Sequence, residues 1–173
     1  MEADPFPYNR RSMGGRLSRW SLAALVLVAA LAATGCGGES AAKRKKDFLA
    51  QATSICSHFS ELQNQVQFPS GNPLAARTSH VTRAQWGLAL NQIVDYGREE
   101  VRGLRKLKPP KDLRDRFQEL LDTKVLAFDD LATAADAAKR NHVAEIKPPV
   151  TAGRKKLAHG TQLARAISLP SCA

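Results

Sequence analysis

In 173 residues the chain has three cysteines, two methionines, two tryptophans and two tyrosines, and aromatics make up 6% of it. No Cys-x-x-Cys-His occurs, which excludes attachment of haem c. The four histidines, His58, His80, His142 and His159, are scattered. None lies in a His-x-x-x-His or Glu-x-x-His arrangement, so no helix offers two metal ligands on one face. There is no Gly-x-Ser-x-Gly elbow and no glycine-rich phosphate loop. The adjacent carboxylates Glu99-Glu100 and Asp129-Asp130 diverge by about 100° on a helix and cannot share a proton or a metal. Asp95, Glu99 and Arg102 have the spacing of salt bridges on a solvated face. These absences predict a protein that is not an enzyme and carries no cofactor or metal. Sustained period-two alternation is also missing, which excludes a sheet protein.

Long apolar runs are missing too. The longest, Ser21 to Ala33 (SLAALVLVAALAA), has 13 uncharged residues. That suits the central region of a signal peptide and falls short of the roughly 20 residues a bilayer span needs. Arg10, Arg11, Arg16 and Arg19 precede it, and the positive charge orients the start toward the cytoplasm. The small residues Ala33, Thr34 and Gly35 lead to Cys36, and the four together resemble a bacterial lipobox. Ala33 stands where such boxes most often have leucine, so ordinary cleavage is the alternative. Residues 1–35 are therefore read as a lipoprotein-type signal peptide and Cys36 as the lipid attachment site. Met13 is an alternative start. Arg10-Arg11 raises twin-arginine export, but Gly14 and Gly15 follow where that motif wants apolar bulk. An uncleaved membrane anchor is the other reading and leaves the remaining residues outside the membrane as well.

From Cys36 onward there are 22 Lys+Arg and 14 Asp+Glu. The excess suits an anionic envelope surface or an envelope protein better than nucleic acid, for which recognition helices, zinc knuckles and basic–aromatic runs are all missing. Residues 36–46 read as a lipidated cysteine and a basic tether, and 47–173 as a helical domain. Lys43, Arg44, Lys45 and Lys46 either touch the membrane surface beside the anchor or act as a solvated tether. With Cys36 assigned to lipid, Cys56 and Cys172 remain. In an oxidising compartment they are expected to pair; a buried free Cys56 or a free terminal Cys172 are the alternatives.

Four amphipathic segments follow. Phe48, Ala52, Ile55, Phe59, Leu62 and Val66 form one stripe on a helix over about 43–67, ended by Pro69, Gly71 and Pro73. Thr82 and Gln85 suggest a capping box with Val81 and Trp86 as the hydrophobic staple; Leu90, Ile93, Gly97, Val101 and Leu104 continue that stripe. Lys108-Pro109-Pro110 ends the second helix. Leu113, Phe117, Leu120, Phe128, Leu131, Ala135 and Ala138 mark the third, interrupted by Lys124, whose stem is expected to cover apolar surface with its charge in water. Asn141 stops it. Pro148-Pro149 predicts that 142–147 is either a separate turn or a kinked lead-in, with the main part of the last helix running from about Pro149 to Ile167. Its Gly153 and Gly160 allow close approach to a neighbour. The expected fold is all-α, an antiparallel up-down four-helix bundle with first and last helices tied by a disulfide.

Three stretches, FLAQATSICSHF, LRKLKPPKDLRDRFQELL and ARAISLPSCA, resemble a family of small exported helical proteins and lipoproteins of actinobacteria. That resemblance implies export and a terminal disulfide through Cys56 and Cys172, and implies no activity. The functional expectation is an exported, lipid-anchored, non-enzymatic binding or interaction module at the outer face of the cytoplasmic membrane, matured by signal peptidase and lipid-transfer machinery. A secreted protein is the alternative localisation. A small-molecule or metal-binding lipoprotein using the bundle interior is the alternative function.

Overall fold

The structure, a computed structural model, describes residues 38–173. The expected signal segment 1–35, the alternative start Met13 and the expected lipidation residue Cys36 lie outside the described residues. The chain divides into two units, Met1–Ser40 and Ala41–Ala173. The second holds every residue of the hydrophobic core and the disulfide, so the elements that stabilise the fold lie within it.

Four helices run in chain order: α1 Gly38–Asn64, α2 His80–Arg105, α3 Arg114–Lys139 and α4 Val143–Ala166. A short 3-10 turn, Pro170–Cys172, closes the chain. No strand occurs among the described residues. Each helix forms because its apolar residues recur every three or four positions, and each buries that stripe. Phe48 and Ala52 of α1, Leu90, Val94, Val101 and Leu104 of α2, and Phe117, Leu120, Phe128 and Leu131 of α3 share one core with Ala164 and Ile167. Each fully buried Leu, Ile or Phe side chain contributes about 1.5–3 kcal/mol relative to exposure.

Contacts between neighbours run in opposite senses along the two partners, so the bundle is antiparallel. Phe48 near the start of α1 meets Phe117 beyond the end of α2, with ring centroids 5.0 Å apart. Farther along α1, Ile55 faces Gly103 of α2. Arg105 and Arg98 of α2 pair with Asp122 and Asp129 of α3. Between α3 and α4, His159 reaches Glu119 and Lys156 reaches Asp130. At Gly97 a Cβ would clash with the ring edge of Phe128, itself 3% exposed. The absence of a side chain there lets α2 and α3 close over that ring. Gly153 lies similarly tight against the Ala127 carbonyl and Leu131, whereas Gly160 has ordinary contacts.

Four local expectations change. First, α1 begins at Gly38 and not at about 43, so the basic run 43–46 lies within its first three turns. Second, Ser79 caps α2 in place of Thr82: its Oγ accepts from the Thr82 amide at 3.1 Å. Val81 is 66% exposed and forms no staple, while Trp86 packs at the core edge and against Phe68. Third, residues 143–147 are a helical lead-in and not a separate turn: α4 runs through Pro148 and Pro149 from Val143. The prolines remove hydrogen bonds to the carbonyls of Ala144 and Glu145, both exposed residues that water can serve, and buried Ile146 pins the first turn. Fourth, Lys124 is buried, as described below. Asn141 does stop α3, with φ of 63° in the left-handed region.

Arg83 fixes the end of the bundle that carries the α1–α2 loop. It is 4% exposed and donates to the carbonyls of Pro73, Ala75 and Thr78 and to the Asn141 side chain. One guanidinium thus ties the long α1–α2 loop to the α3–α4 turn.

Candidate functional site

Three features converge from the sequence reading. The first is the cysteine pair. Cys56 sits about two-thirds of the way along α1, and Leu169-Pro170 turns the chain so that Cys172 comes back beside it. The sulfurs are bonded at 2.00 Å, the Cα atoms lie 4.9 Å apart, and both residues are almost fully buried. The expected Cys56–Cys172 disulfide is therefore present.

The second is an interior ion pair. Lys124 Nζ of α3 donates to Glu100 Oε1 of α2 at 2.7 Å, with the two side chains 10% and 5% exposed. Lys124 was expected to hold its charge in water. It cannot, because Leu120, Leu121, Ala127 and Phe128 surround it in sequence and are all buried, so its ammonium meets a carboxylate on the facing helix instead. A cavity of about 230 Å³ adjoins the pair, lined also by Gln63, Leu157, Thr161 and Cys172. An ammonium has three donors, and Glu100 takes one of them. Glu100 and the two sulfurs lie within 4.8 Å of one another. Bonded sulfurs are not thiolates, so this trio is no metal site in the oxidised chain.

The third is a basic end. Among the four predicted contact residues, Lys43, Arg44 and Lys46 are exposed and Lys45 is half-buried. Arg44 and Lys45 line a shallow groove of about 910 Å³ with Lys108, Pro109, Pro110 and Lys111 of the α2–α3 junction. Lys45 donates to Asp112 at 2.7 Å, and that hydrogen bond holds the Asp112 carboxyl below the ordinary carboxylate range. Lys43 and Lys46 do not line this groove. The contribution of Lys108 and Lys111 is not apparent in the sequence, where they are 63 and 66 residues from Lys45; the Lys-Pro-Pro-Lys junction is visible there as a helix stop.

The four histidines are all exposed, His142 against Glu145 and His159 against Glu119. Among the described residues no helix is long and apolar enough to cross a membrane. Comparison of the chain with protein-family models, curated proteins and solved structures gives no match.

Proposed function

We propose that this chain is exported, lipid-anchored through Cys36 at the outer face of the cytoplasmic membrane, and acts there as a non-enzymatic helical binding module for an anionic envelope surface or an envelope protein. The observation that carries this reading is the buried Cys56–Cys172 disulfide. Such bonds persist in oxidising compartments outside the cytoplasm. Once it forms, Cys36 is left as the one cysteine for acylation, directly after a signal-type segment. Signal peptidase and lipid-transfer machinery are the partners that maturation requires.

Intact mass spectrometry of the protein from membranes and from the medium tests the reading. The expected species begins at Cys36, carries acyl chains, and is two protons lighter than the reduced chain. A mature start elsewhere, or an unmodified Cys36 in the medium, overturns the anchor and leaves a secreted protein.

The cavity beside Glu100 and Lys124 favours a second reading, a carrier of a small polar molecule in the bundle interior. Buried charges lining a cavity are a common mark of a binding site. Native mass spectrometry of the purified protein separates the two: a retained small molecule supports the carrier, and an empty mass removes it.

A further inference from the structure

We propose that the end of the bundle formed by the first turns of α1 and the α2–α3 junction docks on an anionic phospholipid surface. Resting on the anchor reading above, the proposal names the partner of that anchored domain. Charge distribution carries it. Residues 43–47 and 105–116 hold ten Lys+Arg against Asp47, Asp112 and Asp115, whereas the rest of the chain from Cys36 onward holds twelve Lys+Arg against eleven Asp+Glu. Almost the whole positive excess of the exported chain therefore lies in these two short segments.

The fold brings them together. Lys45 bonds Asp112, Phe48 stacks edge-on to Phe117, and Arg44 lines one groove with Lys108 and Lys111. Lys106, Lys108, Lys111, Arg114 and Arg116 are all exposed, and Arg105, exposed too, pairs loosely with Asp122 at 3.8 Å. The opposite end differs: Arg83 is spent on loop carbonyls, Lys139 pairs with Asp136, and Arg140 pairs with Glu145. Charge alone would suit any polyanion. Position selects lipid: Ala41 is five residues from Cys36, so the chain between them spans at most about 18 Å. An acylated Cys36 would hold this end within reach of the head groups. Alanines 41 and 42 and prolines 109 and 110 line the groove between the cations. Small apolar groups flanked by basic ones suit the boundary between head groups and acyl chains.

The test uses the chain from residue 37 onward, which keeps the whole Ala41–Ala173 unit and removes the lipid from the measurement. Sedimentation with vesicles of phosphatidylcholine, with or without phosphatidylglycerol, reads the partitioning. Binding is expected to need phosphatidylglycerol and to weaken with salt. Each basic residue at the surface is expected to contribute about fivefold, so the triple substitution Lys106→Gln, Lys108→Gln, Lys111→Gln lowers partitioning on the order of a hundredfold. Asp112→Asn raises it about fivefold with helix content by circular dichroism unchanged. Lys147→Gln, Arg154→Gln, Lys155→Gln, which carries the same charge loss away from this end, leaves it unchanged within about twofold. Equal losses in the two triple variants overturn the proposal. So does a chain that ignores phosphatidylglycerol vesicles, including one that binds soluble polyphosphate instead. Because no lipid is attached, a failed vesicle assay rejects the docking surface while the mass measurement alone judges the anchor.

Discussion

Lys124 and Glu100 show how much one charge can require of a small core. Each was taken out of water, and each is compensated almost wholly by the other at 2.7 Å. Desolvation of two ions is expensive enough that such a pair contributes little net stability over apolar residues of similar size, yet removal of one partner strands the other. Lys124→Met is accordingly expected to lose about 3–5 kcal/mol in denaturant unfolding, while Lys124→Met with Glu100→Leu recovers most of that loss. If the double variant is no more stable than the single, the pair is not coupled as its geometry indicates. The sequence did expose half of this site. A lysine interrupting the stripe from Leu120 to Phe128 was visible, and it was the one polar residue singled out on an apolar face. Its partner was hidden because Glu100 lies 24 positions away, beside Glu99 in a stretch that reads as a solvated face. Glu99 does lie there, paired with Arg102, while the next residue turns inward by about 100°. Arg83 was missed for the same reason: its four acceptors are a loop and a turn that only the tertiary fold brings near.

The helices were far more legible than their ends. Stripes at spacings of three and four are intrinsic to one segment, and Phe48 to Phe59, Leu90 to Leu104 and Leu113 to Ala138 all face the core or its edge. Ends depend on competition. Ser79 and Thr82 are both good caps, and Ser79 prevails by accepting the Thr82 amide three residues on, in the usual capping register. Pro148-Pro149 reads as a break, but two lost hydrogen bonds on an exposed side of α4 are offset by the anchoring of Ile146 below. At the other end of α4, Ser168 takes φ of 63° as the Leu169 amide reaches back to the Ala164 carbonyl at 2.8 Å. A left-handed residue closing a helix is usually glycine. Ser168→Gly is therefore expected to stabilise the protein by about 0.5–1 kcal/mol in thermal or urea unfolding, and a destabilised variant would show that the serine side chain is needed at this corner. The last turn of α3 carries a pH dependence. The Lys139 hydrogen bond, with the nearby Lys139 and Arg140 charges, lowers the Asp136 carboxyl from its ordinary value of 3.8. A carboxyl depressed in the folded state binds its proton more readily in the unfolded chain, so its contribution is complete above pH 3.8 and fades as acid protonates the folded form. Asp136→Asn is expected to lower the melting temperature slightly at neutral pH and to match the parent in strong acid. A constant gap across that range would assign the effect to packing.

Taken as one object, the Ala41–Ala173 unit is an apolar bundle closed by a covalent tie, with its excess positive charge at one end. The disulfide joins residues 116 apart, and in the chain-entropy account a closure of that length disfavours the unfolded state by about 4–5 kcal/mol before native strain is subtracted. The tie reaches from α1 to the last residues of the chain, and it lies away from the basic turns that open α1. Those turns and the α2–α3 junction concentrate ten cations with three carboxylates. Two opposite consequences of salt follow from that one surface. Within the folded chain the cations repel each other, and raising ionic strength from about 0.01 M to 0.15 M shortens the screening length from about 30 Å to 8 Å. Salt is therefore expected to raise the melting temperature by a few degrees, and Asp112→Asn, which removes a carboxylate from the cluster, to lower it at low salt with the difference closing as salt rises. Toward an anionic bilayer the same cations attract, and there the same salt weakens association. A melting temperature that falls with salt would mean that attractive pairs such as Arg98–Asp129 and Lys156–Asp130 outweigh the repulsion, and the basic end would then lack the unbalanced field that the proposed docking requires.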